Sequence, residues 1–339
     1  MPNDLPALRP DTAVLAGKPA TKPKVSVAMI TYNHVRYIVQ AVESVLAQET
    51  DFPFEIVLGD DLSTDGTREL VVGLATKHPG RIRLLLHEKN LGHCGKFNLV
   101  ATIRRCEGEY VALLEGDDFW NDPKKLQRQV DYLDAHPEYS GSAHEVWELR
   151  TSGERYRYPR DYPGGVRLEL RDILAHGFPL TSSIMYRRTV FGDFPDWYFE
   201  MQMGDWPLAV LCMAVAPFAY LRGEPASTYR LHHASYWNSQ PLVRRTLEEI
   251  KAYSAFRRFL GERHADLIDR ELNLRDFYLS IGHDEEGDGT KARAAFRRFL
   301  AGYRRHRPTG PRPVLRHALK LAAPQVFSLA KRVRDRFSK

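Results

Sequence analysis

Between Lys24 and about Trp147 the chain alternates two periodicities. Short β-branched apolar runs, VSVAMIT, FEIVLG, RIRLLL and EYVALLE, are separated by stretches whose apolar residues recur at helical spacing. In the first such stretch Val35, Ile38, Val42, Val45 and Leu46 fall on one helix face. The strand runs are too continuously apolar to leave one side in water, the pattern of strands covered by helices on both faces. This βαβα order predicts an α/β fold with a mostly parallel, doubly wound, Rossmann-like sheet. Ligands of such sheets bind outside the carboxyl ends of the strands. There the chain is polar four times over: TYNH, DDLSTDGT, HEKN and EGDDFW follow the four runs.

Beyond Trp147 the pattern predicts short strands and loops to about Trp237, then helices to the end. The longest apolar run, Pro207 to Leu221, has 15 residues with Pro217 inside it, short of the roughly 20 that span a bilayer, and reads as a buried helix. AFRRFL occurs from Ala255 to Leu260 and again from Ala295 to Leu300, which predicts two related amphipathic helices.

Composition adds bounds. With 339 residues, 43% of them hydrophobic, the chain can bury one large core and carry an appended segment. The expected organisation is a flexible lead-in over 1–23, an α/β domain over 24–240 and a helical, basic region over 241–339. Cys94, Cys106 and Cys212 are three and far apart, giving neither a disulfide framework nor a zinc spacing and implying a reducing compartment. The N-terminal stretch lacks the unbroken apolar core of a secretory signal, so a cytoplasmic location is expected. From Lys291 to Lys339 there are 15 Lys and Arg against Asp335 alone, a net +14; subtracting this from the overall +6 leaves −8 for residues 1–290. A basic tail on an acidic body points to a polyanionic partner surface.

Glu115, Asp117 and Asp118 directly follow a buried strand, where carboxylates are expensive unless something positive binds them. Mg²⁺ or Mn²⁺ suits such a site, because these ions accept carboxylate oxygen and complete their shells with phosphate and water. The competing reading is a solvated turn ahead of a helix, a role Asp122 with Pro123 can fill. Asp60 and Asp61 end the second run, with Thr64 or Asp65 capping the next helix. A tyrosine at the first strand end can stack on a base, and an aspartate can accept a hydrogen bond from a pyrimidine imide or a ribose hydroxyl.

The order VSVAMITYN, VLGDDLSTDGT, NLG and GEYVALLEGDDFW resembles the family-2 glycosyltransferases of the GT-A fold, in particular bacterial members with EGDD in place of the usual DxD motif. The resemblance runs from about Lys24 to Trp237. It implies that Thr31, Tyr32, Asp60 or Asp61, and Asn90 line a nucleotide pocket, that Glu115 faces the ribose or the metal, and that Asp117 ligates the metal. Ile30 stands where many members have Pro, and Glu115 replaces the first Asp of the motif. MGDWPL resembles the position that supplies the catalytic base, which implicates Asp205; a plain helix cap is the alternative. YRLHHASYW resembles a YRxH element, placing His232 on the metal or a phosphate oxygen with Arg230 as fixed charge. TSSIMYRR, from Thr181 to Arg188, also resembles the family and shapes a donor or acceptor pocket.

The resemblance thus implies an inverting transfer of sugar from a nucleotide-diphosphate-sugar donor to a saccharide or lipid-linked acceptor, in cell-surface polysaccharide assembly. In the tail, Val314, Leu315, Leu319, Val326, Phe327, Leu329 and Val333 are interspersed with Arg and Lys, the mixture of basic amphipathic helices on an anionic membrane; a helix packed on the protein with a solvated basic face is the alternative. Three other function classes are weaker. A sugar nucleotidyltransferase needs a glycine-rich loop after its first strand, and TYNHVRY has no glycine. No nucleic-acid recognition motif accompanies the basic tail. An inactive nucleotide-sugar-binding or scaffold protein is disfavoured by the joint presence of Asp117, Asp205 and His232.

Overall fold

In the computed structural model the described residues are 12–15, 21–159, 166–176, 179–190, 192–232, 240–306 and 309–322. They divide into two compact units, Met1–Ala234 and Ser235–Lys339.

The first unit is organised by a nine-stranded sheet. Its edge strand β1 (Thr12–Leu15) is followed in the chain by β2 (Val25–Thr31), β3 (Phe54–Asp60), β4 (Ile82–His87) and β5 (Tyr110–Glu115). In space the order is β1, β4, β3, β2, β5, and the last four are mutually parallel. Helices α1 (Ile38–Leu46), α2 (Thr67–Lys77) and α3 (Lys96–Arg105) make the connections, as the alternating pattern predicts. The β2, β3 and β5 cores are almost wholly buried. In α1, Ile38, Val42 and Val45 are buried and Leu46 is partly so, whereas Val35 precedes the helix and is exposed.

Two expectations need correction. Residues Thr12–Leu15 of the expected lead-in pair antiparallel with β4, which satisfies main-chain groups that an edge strand would otherwise present to water. The apolar run from Pro207 to Leu221 is not one helix. It is all of helix α7 (Asp205–Val215) beyond its first-turn residues Asp205 and Trp206, followed, across Pro217, by strand β12 (Phe218–Leu221). Proline lacks the amide a helix needs, and the chain turns into the sheet instead.

Past β5 the sheet becomes mixed. β7 (Gly141–His144), β10 (Arg167–Leu168) and β11 (Met185–Arg187) join β12 there, with β11 antiparallel to both β5 and β7. Helices α4 (Lys125–Ala135), α5 (Leu170–His176) and α6 (Asp196–Glu200) belong to the same unit. A second sheet of four strands contains β6 (Phe119–Trp120), β8 (Val146–Arg150), β9 (Arg155–Tyr158) and β13 (Ser227–Leu231), with β13 between β6 and β8.

The second unit contains helices α8 (Leu242–Leu260), α9 (Ala265–Glu285), α10 (Gly289–His306) and α11 (Pro311–Ala322). The two AFRRFL copies lie at the end of α8 and within α10, burying Phe256, Phe296 and Phe299. Among the described residues no helix is long and apolar enough to cross a membrane. Val326, Phe327, Leu329 and Val333 lie outside the described residues.

Candidate active site

Strand register sets the site. Thr31 is paired with Asp60 and Ile30 with Glu115, so three of the polar strand ends stand level at one edge of the sheet. Gly116 follows Glu115 at the turn, where a Cβ would meet Thr31 Oγ1 at 2.8 Å and Ile38 Cδ1 at 2.9 Å. Only glycine lets this turn pack so closely, and the turn carries Asp117 and Asp118 back over the sheet edge.

The second sheet brings the other half. β13 pairs with β6 directly after the acidic turn, which lays Arg230 and His232 against it. His232 Nε2 lies 2.9 Å from Asp117 Oδ2, and His34 Nε2 lies 3.6 Å from the same oxygen. The Arg230 amide donates to Asp118 Oδ1 at 2.9 Å. Its guanidinium donates to the Asp117 carbonyl and to Gln40, and lies over the rings of Phe119 and Tyr37 at 4.4 and 5.0 Å. Arg230 thus braces the acidic turn while keeping a fixed positive charge beside it.

The carboxylates are electrostatically unequal. Burial would raise Asp117, but the neighbouring His34 and the hydrogen bond with His232 hold it below the ordinary carboxylate value. Glu115 is pushed well above that value by burial and by the charges of Asp117 and Asp205, and Asp118 by burial with Asp117 and Glu115. Asp117 Oδ1 and Asp118 Oδ2 are buried without a hydrogen-bond partner. Such atoms call for a ligand.

Asp205 begins α7. Its Oδ1 accepts from the Trp206 amide at 2.8 Å and its Oδ2 from Thr181 Oγ1 at 3.4 Å; the helix N-cap is Gly204, without a side-chain cap bond, so Asp205 stands in the first turn and is not the expected cap. Burial raises its pKa. The contact also gives TSSIMYRR a definite part, since Thr181 touches Asp205 and the Ser182 carbonyl accepts from Trp120 Nε1 at 3.0 Å.

On the far side of the sheet edge, Asp60 is wholly buried, accepting from Arg68 Nε at 2.6 Å and from the Ser63 amide. Asp61 Oδ1 accepts from the Leu91 amide at 2.7 Å, and Asn90 Nδ2 donates to the Asp61 carbonyl at 2.9 Å. Asp61 and Asn90 thus lock two strand-end loops together, while Asp60 anchors the base of the second. Thr31 Oγ1 is buried without a partner, and Tyr32 is 45% exposed.

Residues 26–194 match the family model described as glycosyl transferase family 2. An uncharacterized glycosyltransferase of Nostoc sp., alr2836, is 30% identical over 275 residues, covering 78% of this chain and 79% of that protein. The chain belongs to glycosyl transferase family 2. The uncharacterized protein Rv1520 of Mycobacterium tuberculosis is 33% identical over 235 residues; the match takes in 67% of the chain and spans 64% of that relative's length. The succinoglycan biosynthesis protein ExoO of Rhizobium meliloti is 36% identical over a shorter stretch of 113 residues, 33% of this chain and 30% of that protein. In fold the chain resembles S. aureus TarS in complex with UDP-GlcNAc, with a TM-score of 0.59 at 20% identity over 82% of this chain and 80% of that one. It likewise resembles the mannosyltransferase PcManGT of Pyrobaculum calidifontis in complex with GDP-Man and Mn²⁺, with a TM-score of 0.57 at 20% identity over 95% and 85%.

Within this family-2 chain, three residues that build the candidate site escape sequence reasoning. His34 follows the TYN segment and shares the Asp117 oxygen with His232. Asn33 adopts a left-handed φ of 57° and its Oδ1 accepts from the Thr64 amide at 2.8 Å, tying the first strand end to the second; Asn tolerates that conformation and makes such bonds readily. Lys96, 1% exposed, donates to the carbonyls of Phe199, at 2.7 Å, and Met201, just before Asp205. Of these only Asn33 carried a local signal. The others are joined to their partners by tertiary contact.

Proposed function

We propose that this chain is an inverting glycosyltransferase that moves a sugar from a nucleotide-diphosphate-sugar donor to a saccharide or lipid-linked acceptor, at the cytoplasmic face of a membrane, in cell-surface polysaccharide assembly. The observation that carries this reading is the set of buried carboxylates with two unpartnered oxygens, Asp117 Oδ1 and Asp118 Oδ2, at the carboxyl ends of the parallel strands. Family membership, the succinoglycan-assembly name of one relative and nucleotide-sugars in two proteins of like fold support it.

Among the described residues no three His, Cys, Asp or Glu side chains form a metal-holding group. A carboxylate and an imidazole, Asp117 and His232, with one carboxylate oxygen unpartnered, nevertheless suit Mg²⁺ or Mn²⁺, which retain water and take phosphate oxygens as further ligands. A bound cation would stabilise the charge developing on the departing diphosphate. Tyr32, exposed at the first strand end, is positioned to stack on the base, and the buried Thr31 hydroxyl, Asp61 and Asn90 line the same edge. Glu115 faces the ribose, its carboxyl raised well above the ordinary value by burial and by the charges of Asp117 and Asp205.

Asp205 acts as the general base. Its raised pKa improves it as a proton acceptor relative to an exposed aspartate, and its bond from Trp206 fixes its direction. The Asp205 carboxylate takes the proton of the acceptor hydroxyl as that oxygen attacks the anomeric carbon opposite the diphosphate. One displacement inverts the anomeric configuration.

The test is release of nucleoside diphosphate from a panel of UDP-, GDP- and dTDP-sugars with Mn²⁺, with and without EDTA. Metal-dependent turnover of one donor, lost in Asp117→Ala, supports the transferase. Binding without turnover, with acceptor supplied, identifies an inactive sugar-nucleotide binder, and no binding of any donor overturns the reading.

A further inference from the structure

Between Gly289 and Ala322 the sequence holds ten Lys and Arg and no Asp or Glu. Acids of other segments neutralise four of these cations: Asp288 pairs with Lys291 at 2.9 Å, Asp276 with Arg298 at 2.8 Å, Asp266 with Arg305 at 3.3 Å, and Asp284 with Lys320. Arg293, Arg297, Arg304 and Arg312 are exposed, and among the described residues none of them has an ion pair.

Helical geometry gathers the residual charge into stripes. On α10, Arg293, Arg297, Leu300 and Arg304 recur at i, i+4, i+7 and i+11, one line along the helix, while Ala292, Ala295, Phe296 and Phe299 point into the core. On α11, Val314 and His317 are buried, and Val314, Ala318 and Leu321 pack on the cluster of Phe277, Phe296 and Phe299. The opposite side of α11 presents Arg312, Leu315, Arg316 and Leu319, with Leu315 63% and Leu319 64% exposed. A helix that serves only the fold needs one apolar side. This one has two, and the outward side is edged with arginine.

We propose that the outward stripes of α10 and α11 are a docking face for an anionic lipid surface. Leu315 and Leu319 enter the boundary between headgroups and acyl chains, and the arginines lie at the phosphate level with their apolar stems toward the lipid. Charge complementarity draws the face to anionic headgroups, and the two leucines select lipid over other polyanions. Nucleic acid would meet the arginines equally well, but its binding rests on phosphate contacts and aromatic stacking, and exposed leucines would gain nothing there. This proposal gives the membrane-side reading its contact residues and stands apart from the transfer chemistry of the first unit.

The full chain is sedimented with vesicles of phosphatidylcholine alone and of phosphatidylcholine mixed with phosphatidylglycerol, at low and high salt. The expected result is partition onto the anionic vesicles only, weakened by salt. Combined Arg293→Gln, Arg297→Gln, Arg304→Gln and Arg312→Gln should lower the partition coefficient by about fivefold per charge. Leu315→Gln with Leu319→Gln should lower it by about tenfold or more while leaving the salt dependence in place. All these side chains are exposed, so circular dichroism should report an unchanged fold. Absence of binding to anionic vesicles, equal binding by the native chain and both variants, or tighter binding to a single-stranded oligonucleotide than to vesicles would overturn the proposal. Donor turnover measured on the same samples separates the two readings: turnover without vesicle binding removes the docking face alone, and vesicle binding without turnover leaves it standing and removes the transferase alone.

Discussion

The two ends of the central parallel strands handle buried charge in opposite ways. At the amino end, Glu55 on β3 is 1% exposed, yet its carboxylate accepts from Ser26 Oγ at 2.6 Å and pairs with Arg83 at 2.5 Å, and Arg83 also reaches Glu107 at 2.9 Å. Burial would lower the Arg83 pKa, but its bond and charge contact with Glu55 carry it above its ordinary value, so the guanidinium stays charged despite its burial. At the carboxyl end, Glu115, Asp117, Asp118 and Asp205 are crowded together, three of the four with raised pKa and two oxygens unpartnered. A closed network is finished by folding. An open one is finished by a ligand, and a fold keeps it against its own stability.

The largest effect that could break this contrast is catalytic. Asp117→Ala and Asp205→Asn should each lower donor turnover by about 10²-fold or more, while thermal unfolding of Asp205→Asn stays at or above that of the native chain, because that change removes a carboxylate whose charged form burial disfavours. A large loss of melting temperature in Asp205→Asn would place that residue with the structural network. Glu55→Ala should do the reverse. It leaves Arg83 buried with half its pairing and should destabilise the fold by about 3–5 kcal/mol in urea unfolding. A loss below about 1 kcal/mol would remove the distinction between the two ends.

Smaller effects sharpen it. His232→Ala and His34→Ala should raise the Mn²⁺ concentration needed for half-maximal donor turnover by about tenfold, since groups that ligate or orient a ligand shift metal affinity by about 10–100-fold. Unchanged metal dependence in both would leave the imidazoles as mere neighbours. Lys96→Met should strip the carbonyls of Phe199 and Met201 of their ammonium, a penalty of about 1–3 kcal/mol, and move Asp205 with the segment before it. The fall in kcat should exceed any rise in donor KM; a change in stability alone would make Lys96 purely structural.

The smallest effect is in pH. Glu115 and Asp118 bind protons more tightly folded than unfolded, so as pH rises above the ordinary carboxylate value the unfolded chain sheds protons first and stability falls until the folded groups also titrate. Glu115→Gln should flatten that decline in melting temperature, and an unchanged slope would mean the open cluster carries no such strain. Donor turnover, by contrast, should rise with pH through the titration of Asp205.

The parallel half of the fold was legible because its signals are local: buried strands read as unbroken apolar runs, and each is followed by a polar turn. The cap expected of Thr64 or Asp65 falls instead on Gly66, and Asp65, one residue earlier, accepts from the Thr67 amide at 3.0 Å as a turn aspartate. The mixed flank was less legible. β10 and β11 have two and three residues, too short for any periodicity, and the apolar segment around Pro217 fits helix or strand equally well until its neighbours are known.

By itself the sequence determined which side chains are available for chemistry and which strand ends carry them, because polarity that interrupts apolar runs is written along the chain. It also determined that the last stretch is basic and amphipathic. Only the tertiary structure decided how these groups are used. It closed Asp60 on Arg68, turned Arg230 inward, joined His34 and His232 on one oxygen of Asp117, left the other oxygen open, and put Leu315 and Leu319 on the outside of a helix already apolar within. The physical reason is common to all five. Burial and pairing depend on distances between residues remote in sequence, and those distances exist only after strand register and helix packing have been set.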